Sequence, residues 1–180
     1  MTTLHKFFLD RIMSPIGNVL IVTNDRSMCA LDYEGCEHRM HRLLAERYSD
    51  YQLVEADDPL GYSTRVCKYF EGDLDAIRTI TVETGGSEFQ RDVWAMLREI
   101  PGGTTVTYGQ IATKLGMPEA SRAVGLANSL NPIAIVVPCH RVIGANDKLT
   151  GYAGGLERKT WLLQHEGVYL ALNISSQRKF

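Results

Sequence analysis

The stretch IAIVVPCHRV, residues 133–142, organises the interpretation of this 180-residue chain. Its first five residues are apolar, several of them are β-branched, and their number is typical of a buried strand, so the pattern predicts extended structure over residues 133–137. Pro138 has no amide hydrogen to donate to a sheet, so the strand is expected to end there. Cys139 then lies where a buried element opens onto a site, and its thiol becomes the candidate reactive group.

The composition, with 44% apolar and 22% charged residues, is that of an ordinary globular protein. No segment approaches the roughly 18 apolar residues that a membrane-spanning helix needs. Residues 1–11 carry charges where a signal peptide has an apolar core. We therefore expect a cytoplasmic protein, and its four cysteines are expected to be free thiols rather than disulfides. They are Cys29, Cys36, Cys67 and Cys139.

The net charge of −2 argues against a strongly basic nucleic-acid binder, but the charge is unevenly distributed. Residues 1–86 carry 9 Lys and Arg against 14 Asp and Glu, and residues 87–180 carry 10 against 7. The charge balance is therefore −5 over residues 1–86 and +3 over residues 87–180. This asymmetry indicates that only the C-terminal half meets an anionic partner.

The N-terminal half of the chain predicts a small α/β unit. Turn residues separate three short apolar runs at 5–12, 18–24 and 27–33, which favours an antiparallel meander. Helical spacing follows over residues 37–48, and Asp57-Asp58-Pro59 is expected to open a helix that ends before Gly72. Residues 77–82 alternate in polarity and predict a further strand. Thr84-Gly85-Gly86 then marks a boundary between domains at 1–86 and 87–180.

The C-terminal half of the chain predicts mostly helices. Ser87 with Gln90, and Thr107 with Gln110, each have the spacing of a capping box at a helix start. The second box opens a helix over residues 108–115, and Pro118 opens another that runs to about Leu130. Two short helices joined by a glycine turn are typical of a helix-turn-helix, although αα corners in helical cores share the pattern. The fold class is therefore α+β.

The second of these two helices has an unusual set of small residues, and two explanations remain open. Small side chains allow close helix–helix packing, and they equally allow a helix to lie tightly in a groove of nucleic acid. In the second case Arg122 is the long side chain that projects from a flat surface. The small residues concerned are Ser121, Ala123, Gly125, Ala127 and Ser129.

Cysteine next to histidine indicates a thiolate nucleophile, because a nearby base favours loss of the thiol proton. Neighbouring residues on a strand point to opposite faces, so Cys139 and His140 cooperate only if the chain turns after Pro138. Glu166, at the end of a predicted helix, is a carboxylate that could orient His140. The structural alternative is a buried, inert cysteine beside a hydrogen-bonded histidine.

A metal site is not expected. Cys29, Cys36, His38 and His41 match no zinc-ligand spacing, and the two histidines fall in a predicted helix. The Gly-Gly pairs lack the context of a phosphate-binding loop, so no cofactor is expected either.

The motifs in the C-terminal half of the chain resemble those of O6-alkylguanine-DNA alkyltransferases, also called methylated-DNA–protein-cysteine methyltransferases. The resemblance covers roughly residues 87–167 strongly, and residues 1–86 only in their layout as a small, ribonuclease-H-like support domain. The chain is most similar to bacterial single-function members. The matching motifs are FQRDVW at 89–94, YGQIA at 108–112, SRAVG at 121–125, NP at 131–132, PCHRV at 138–142, TGYAGGL at 150–156 and WLLQHEG at 161–167.

The resemblance implies irreversible, stoichiometric transfer of an alkyl group from O6-alkylguanine or O4-alkylthymine in DNA to Cys139, after base flipping. It implies that His140 takes the thiol proton through a water, that Glu166 holds His140, and that Asn131 braces the turn. Tyr108 would help rotate the nucleotide and donate a proton to the leaving base. The partner it implies is double-stranded DNA, approached in the minor groove by a monomer, with cooperative binding left open.

The resemblance also assigns residues that contact DNA. Arg122 would fill the gap left by the flipped base, while Ser121, Ala123 and Gly125 allow close approach to the groove. The segment around Val142, Tyr152, Ala153 and Gly154 would bind the base. The demands of the chemistry agree, since a base inside a duplex must be extruded before its O6 atom can be attacked.

Two departures from the family pattern affect these expectations. Ala153 stands where some relatives have serine, so a backbone contact at this position is retained but a hydroxyl contact is not. The zinc site that some eukaryotic relatives carry has no convincing ligands here, and no additional regulatory domain is expected. A thiol hydrolase that uses Cys139 and His140, and a helix-turn-helix regulator with a merely structural Cys139, are the alternative functions.

Overall fold

A computed structural model describes residues 3–170, to which the following account refers. The loose tail expected after Leu172 lies outside the described residues. The strands are β1 (His5–Ile12), β2 (Val19–Thr23), β3 (Met28–Tyr33), β4 (Tyr51–Glu55), β5 (Val106–Thr107) and β6 (Val142–Ile143). The α-helices are α1 (Glu37–Arg47), α2 (Tyr62–Phe70), α3 (Glu88–Glu99), α4 (Tyr108–Lys114), α5 (Ser121–Ser129) and α6 (Leu156–His165).

The N-terminal half of the chain forms a four-stranded sheet in the order β3-β2-β1-β4. The predicted meander is confirmed, because β1 pairs with β2 and β2 with β3 in antiparallel fashion. Strand β4, which was not predicted from the sequence, adds a parallel edge strand beside β1. Its residues YQLVE are at most half-buried, so their hydrophobic signal is weak.

The sheet is covered on both faces, which explains why all of β2 is buried. Side chains alternate across a strand, so Leu20 and Val22 pack with Met40 of α1, whereas Val19 and Ile21 face the larger core cluster. That larger cluster continues through α2, α3 and α5 to residues 133–139. The reactive stretch therefore packs against the sheet's second face.

The prediction of a strand over residues 133–137 is wrong. A single bridge joins Leu31 to Ile133, and the chain then folds into a buried turn in which Ile135 has a φ of 68°. The amide of Val137 donates to the carbonyl of Ile133 at 3.0 Å, so the turn satisfies its own backbone groups. Burial accounts for the apolar, β-branched composition, which is why the run resembles a strand.

Two further predictions in the N-terminal half of the chain need correction. The strand predicted over residues 77–82 does not form, because residues 77–79 are turn and only Val82 is bridged to the sheet, through Met28. Ile77 and Ile80 are buried. The helix expected from residue 57 begins only at Tyr62. A short 3₁₀ turn at Pro59–Gly61 precedes it, and the left-handed φ of Leu60 inside that turn, 61°, prevents a continuous helix from residue 57.

Both predicted capping boxes are confirmed. The Ser87 hydroxyl accepts from the Gln90 amide at the start of α3, and the Gln90 side chain accepts from the Ser87 amide. Thr107 and Gln110 make the same reciprocal pair at the start of α4. Gly116 ends that region with a φ of 72°, and a 3₁₀ turn at Pro118–Ala120 leads into α5. The α+β fold class, with its helical C-terminal half, is confirmed.

None of the helices within residues 3–170 is long and apolar enough to cross a bilayer. In the same range, no three or more His, Cys, Asp or Glu side chains are grouped so that they could hold a metal ion.

Candidate active site

The chain turns immediately after Pro138, as cooperation between Cys139 and His140 requires. Residues Cys139–Arg141 form a 3₁₀ turn that leads directly into β6. The amide of Cys139 donates to the carbonyl of Val137 at 2.8 Å, and the amide of Arg141 donates to that of Pro138 at 3.0 Å. Cys139 is a free thiol and is 5% exposed, so it lies at the inner end of its site.

His140, the neighbour of Cys139 in sequence, forms a buried pair with Glu166. His140 Nε2 lies 2.8 Å from Glu166 Oε1, and both side chains are fully buried. An ionised carboxylate only accepts hydrogen bonds, so Nε2 carries the hydrogen. In the neutral ring Nδ1 then has a free lone pair, and it has no hydrogen-bond partner among the described protein atoms. His140 is thus held in the tautomer that can act as a base.

Arg141 keeps Glu166 ionised. Its Nε donates to Glu166 Oε2 at 2.9 Å and its Nη2 donates to Oε1 at 2.8 Å, while Nη1 donates to the carbonyl of Ile100 at 2.6 Å. This bidentate geometry is the strongest arrangement that arginine makes with a carboxylate. Arg141 was not selected as a site residue from the sequence, although a charged side chain inside a buried motif was a usable signal.

Electrostatics sets the resting protonation of the three groups. Burial raises the pKa of the Cys139 thiol, and the hydrogen bond from Asn131 and the charge of Lys159 offset only part of that effect. Burial lowers the pKa of His140 and outweighs the opposing charge of Glu166. Burial alone would raise the pKa of Glu166, but its ion pairs and hydrogen bonds hold it well below the usual range. At neutral pH the thiol is protonated and the histidine is an uncharged base.

Asn131 fixes the turn that carries the thiol. Its Nδ2 donates to the carbonyl of Val137 at 2.7 Å, and its Oδ1 accepts from the amide of Ile133 at 2.9 Å. These two hydrogen bonds satisfy backbone groups that a sheet would otherwise pair. Asn128, which was not selected from the sequence, donates to the carbonyl of Cys139 at 3.4 Å.

Cys139 lines a cavity of about 20 Å³, which holds roughly one water molecule. Four other predicted site residues also line it, namely Asn131, Tyr152, Ala153 and Gly154. The other wall comes from the N-terminal half of the chain and from the end of α5. The remaining lining residues are Asp32, Tyr33, Arg39, Asn128, Ser129, Ala134 and Gly151.

Val142 is not brought to this cavity. It is fully buried in β6, and its carbonyl accepts from Lys159 Nζ at 2.7 Å. The same ammonium donates to the carbonyl of Thr150 at 3.1 Å. Lys159 therefore links β6 to the segment over the thiol, residues 151–154, which follows Thr150 and lines the cavity. The resemblance identified Val142 by its place in the motif, but the contact of its carbonyl with Lys159 depends on a residue far along the chain.

Comparison with known proteins agrees with this arrangement. The family model described as "6-O-methylguanine DNA methyltransferase, ribonuclease-like domain" matches residues 9–84, and the corresponding "DNA binding domain" model matches residues 88–168. A Salmonella typhimurium methylated-DNA–protein-cysteine methyltransferase is 49% identical over 164 residues, which cover 89% of this chain and 96% of the relative. The chain belongs to this methyltransferase family.

Solved structures of methyltransferases have the same fold. The Mycobacterium tuberculosis OGT in complex with DNA superposes with a TM-score of 0.74 at 39% identity, covering 89% of this chain and 92% of that one. The O6-methylguanine-DNA methyltransferase from Pyrococcus kodakaraensis gives a TM-score of 0.65 at 27% identity, with coverage of 90% and 99%.

In this methyltransferase the segment over the thiol is fixed by the N-terminal half of the chain. The hydroxyls of Tyr152 and Tyr33 are hydrogen-bonded at 2.7 Å. A Cβ added to Gly154 would lie 2.5 Å from the buried Tyr33 ring, so only glycine fits against it. Arg158 lies over the Tyr33 ring, 4.5 Å from its centroid. Tyr33 was not selected as a site residue from the sequence.

The remaining predicted residues of the methyltransferase lie on helices α4 and α5. Arg122 and Ala123 are exposed on α5, whereas Ser121 and Gly125 are half-buried. The Tyr108 hydroxyl is hydrogen-bonded to Thr150 Oγ1 at 2.9 Å. Gly125 faces the same aromatic ring, since a Cβ there would lie 3.7 Å from Tyr108. Gly125 therefore packs against α4, as the explanation by close helix packing requires, whereas Arg122 and Ala123 face solvent.

Proposed function

We propose that Cys139 is the residue that accepts the alkyl group when this protein repairs DNA. As a member of its family, the chain is a methyltransferase that transfers the alkyl group from DNA to its own cysteine. The observation that supports Cys139 most strongly is the pairing of His140 with Glu166, which leaves a basic nitrogen on the residue next to a cavity-lining thiol. Among the described residues, no histidine–carboxylate ion pair lies beside Cys29, Cys36 or Cys67.

The chemistry follows from the resting charges of these groups. The Cys139 proton passes through a water to Nδ1 of His140, and the imidazolium is stabilised by Glu166. Sulfur then attacks the alkyl carbon, a carbon–sulfur bond forms, and the bond between that carbon and guanine O6 breaks. Tyr108 donates a proton to the departing base. The thioether is stable and has no route back to a thiol, so each molecule acts once, on O6-alkylguanine or O4-alkylthymine.

The base reaches the thiol only if it leaves the helix and the cavity enlarges. A cavity of about 20 Å³ is far smaller than a purine, so the segment of Tyr152, Ala153 and Gly154, which contacts with Tyr33 hold in place in the absence of DNA, moves when a base enters. Backbone groups of this segment then contact the base edge. The alanine at position 153, where some relatives have serine, does not prevent this contact, because a backbone contact does not depend on the side chain.

The exposed surface of α5 supports a minor-groove approach. Arg122 and Ala123 project to solvent, and Leu126, one turn further on, is 63% exposed. Small and apolar side chains with one long cation suit close approach to backbone and sugar, with little reading of sequence. We propose that the protein binds double-stranded DNA through this surface, as a monomer in the cytoplasm. The small side chains at Ser121 and Gly125 allow the backbone of α5 to approach the groove closely.

We propose that the chain divides into a support domain over residues 1–86 and a DNA-binding, alkyl-accepting domain over residues 87–180. The reversal in charge balance and the capping box at Ser87 support a boundary at Gly85-Gly86. No cofactor is needed for the proposed transfer, since the nucleophile, the base and the proton donor are all side chains of the protein.

The proposed function is tested by counting transfers with excess O6-methylguanine duplex. One methyl group per protein molecule is expected, followed by no further reaction. Continued release of demethylated product would indicate a recycling thiol enzyme instead. Binding to DNA without any transfer would indicate a helix-turn-helix regulator.

Arg122→Ala is expected to slow repair of a duplex by about tenfold or more, since a stacking gap costs a few kcal/mol to leave unfilled. Reaction with free O6-methylguanine base is expected to stay near the wild-type rate, because no gap forms there. Single-turnover rates of the variant and the wild-type protein, measured on the duplex and on the free base, give the loss on each substrate. Arg78→Ala, which removes a guanidinium that is 72% exposed, is the matched control and should leave both rates unchanged. An equal loss on both substrates for Arg122→Ala would remove the base-flipping role.

A further inference from the structure

A tyrosine from the N-terminal half of the chain reaches the carboxylate behind the proposed base. Tyr69 lies in α2, is fully buried, and donates its hydroxyl hydrogen to Glu166 Oε1 at 2.7 Å. It lies 97 residues before Glu166 in sequence. The motifs that identify the family strongly lie in residues 87–167, so neither motif nor spacing pointed to this residue.

Helices α2 and α6 hold the Tyr69 ring in place. The ring meets His165 edge-on at a centroid distance of 5.2 Å, and it packs in the same way against Phe70 at 5.5 Å. His165 Nε2 lies 2.6 Å from the Tyr69 carbonyl, so the backbone of α2 is also fixed to the end of α6. The position of the hydroxyl is therefore set by packing before any substrate binds.

Three donors share one oxygen of Glu166. Oε1 accepts from Tyr69, from His140 Nε2 and from Arg141 Nη2, whereas Oε2 accepts from Arg141 Nε. Every donor that binds Oε1 takes up part of the negative charge that would otherwise stabilise a protonated His140. Burial and the neighbouring Glu166 raise the pKa of Tyr69 well above its ordinary value, so the hydroxyl remains a donor at all working pH values.

We propose that Tyr69 is a positioning residue for the transfer reaction, because its hydroxyl limits the charge that Glu166 presents to His140 and so keeps His140 uncharged. The inference rests on the proposed function, in which His140 is the base. It gives the N-terminal half of the chain a chemical role in addition to support. Only the uncharged ring can take the Cys139 proton, so a stronger pull from Glu166 lowers the fraction of active protein.

The other charged groups near this pair do not change when the hydroxyl is removed. Arg141 and Lys159 both lower the pKa of His140, and Glu166 raises it. Tyr33 and Tyr152 are further titratable neighbours of Tyr69, and both stay protonated because burial raises their pKa values far above the ordinary value. The imidazole of His165 contacts the Tyr69 ring and carbonyl rather than its hydroxyl.

Tyr69→Phe tests the proposal, since it removes the hydroxyl and keeps the ring. The single-turnover rate of methyl transfer is measured between about pH 5 and 9. Without the Tyr69 hydroxyl, Glu166 stabilises the imidazolium more strongly and the pKa of His140 rises. The acid limb of the profile is then expected to move upward by about one pH unit, which makes transfer up to roughly tenfold slower at low pH. At pH 9, where His140 is uncharged in both proteins, the rate should be no lower than that of the wild-type protein.

Tyr62→Phe is the matched control. Tyr62 lies on the same helix and its hydroxyl donates to the carbonyl of Arg26 at 3.2 Å, away from Glu166. Its variant should keep the wild-type pH profile, whatever its effect on thermal stability. A loss of rate in Tyr69→Phe by one factor at every pH, or an unchanged profile, would overturn the proposal.

Two further measurements keep the test decisive. Site-specific 3-fluorotyrosine at position 69 keeps the hydroxyl and makes it a stronger donor, so the acid limb should move to lower pH; movement upward would overturn the proposal. His140→Gln checks the underlying mechanism separately. If that variant transfers methyl groups at the wild-type rate, the proposed base is wrong, whereas a slow His140→Gln with an unshifted Tyr69→Phe profile contradicts only the role of Tyr69.

Discussion

Cys139→Ser is expected to lose methyl transfer to below detection while it still binds alkylated duplex DNA. Serine fits the same buried position, but its hydroxyl is a far weaker acid and nucleophile than the thiol. A neutral His140 cannot generate an alkoxide from it at useful rates. The measurement is transfer of a labelled methyl group from an O6-methylguanine duplex in a single turnover, with binding followed in parallel.

Cys36→Ser is the sharper control, because Cys36 lies close to the same segment. Its Sγ is 4.0 Å from the carbonyl of Ala153, but no histidine–carboxylate ion pair lies beside it among the described residues, and burial raises the pKa of its thiol. This variant should transfer at the wild-type rate. Transfer that survives in Cys139→Ser, or that disappears in Cys36→Ser, would contradict the assignment of the acceptor.

Glu166→Gln is expected to destabilise the fold by about 3–5 kcal/mol, because it leaves the buried guanidinium of Arg141 without a compensating charge. Transfer should also slow by on the order of 10²-fold or more, since His140 loses the group that orients it and stabilises its charged form. Urea unfolding at neutral pH measures the first effect, and single-turnover kinetics measures the second.

The exposed Glu157 on α6, the helix that ends just before Glu166, provides the control, and Glu157→Gln should change stability by no more than about 0.5 kcal/mol. The double variant Arg141→Met, Glu166→Gln should recover some of the lost stability and none of the activity, because the unpaired charge is removed but the relay is still broken. Full activity in Glu166→Gln would contradict the relay.

The effect of Glu166→Gln should also depend on pH. The pKa of Glu166 lies well below its ordinary value of 4.5 in the folded protein. A carboxyl of this kind stabilises the fold fully above the pKa of the unfolded chain, and its contribution is lost as the pH falls through the folded pKa. The stability difference between wild type and Glu166→Gln should therefore shrink as the pH is lowered below 4.5.

Local signals in the sequence predicted much of the fold. The capping boxes at Ser87 and Thr107, the glycine at 116 and the alternating runs of the meander each depend on residues within a few positions of one another. Residues 133–137 were misleading for a physical reason: a β-branched run indicates burial, and burial does not require a strand. Here Asn131 replaces the hydrogen bonds of a sheet, and that replacement is visible only in three dimensions.

The sequence predicted those residues of the candidate site that are neighbours along the chain or that belong to a family motif. Cys139, His140 and Glu166 were selected, but the contacts of Tyr69 and Tyr33 with the site come from more than 90 residues away. Val142 was selected by its motif, whereas its carbonyl is bound by a lysine 17 residues further on. Side-chain contacts between distant segments leave no periodicity or spacing in a single sequence.

The most direct test of the central claim is the mass and location of the transferred group. Wild-type protein is incubated with a duplex that contains O6-methylguanine, its intact mass is measured, and a proteolytic digest is mapped. Cys139 as the acceptor predicts one added methyl group, found on the peptide that carries this residue, and no second addition with excess substrate. An unchanged mass, or a methyl group on Cys29, Cys36 or Cys67, would contradict it.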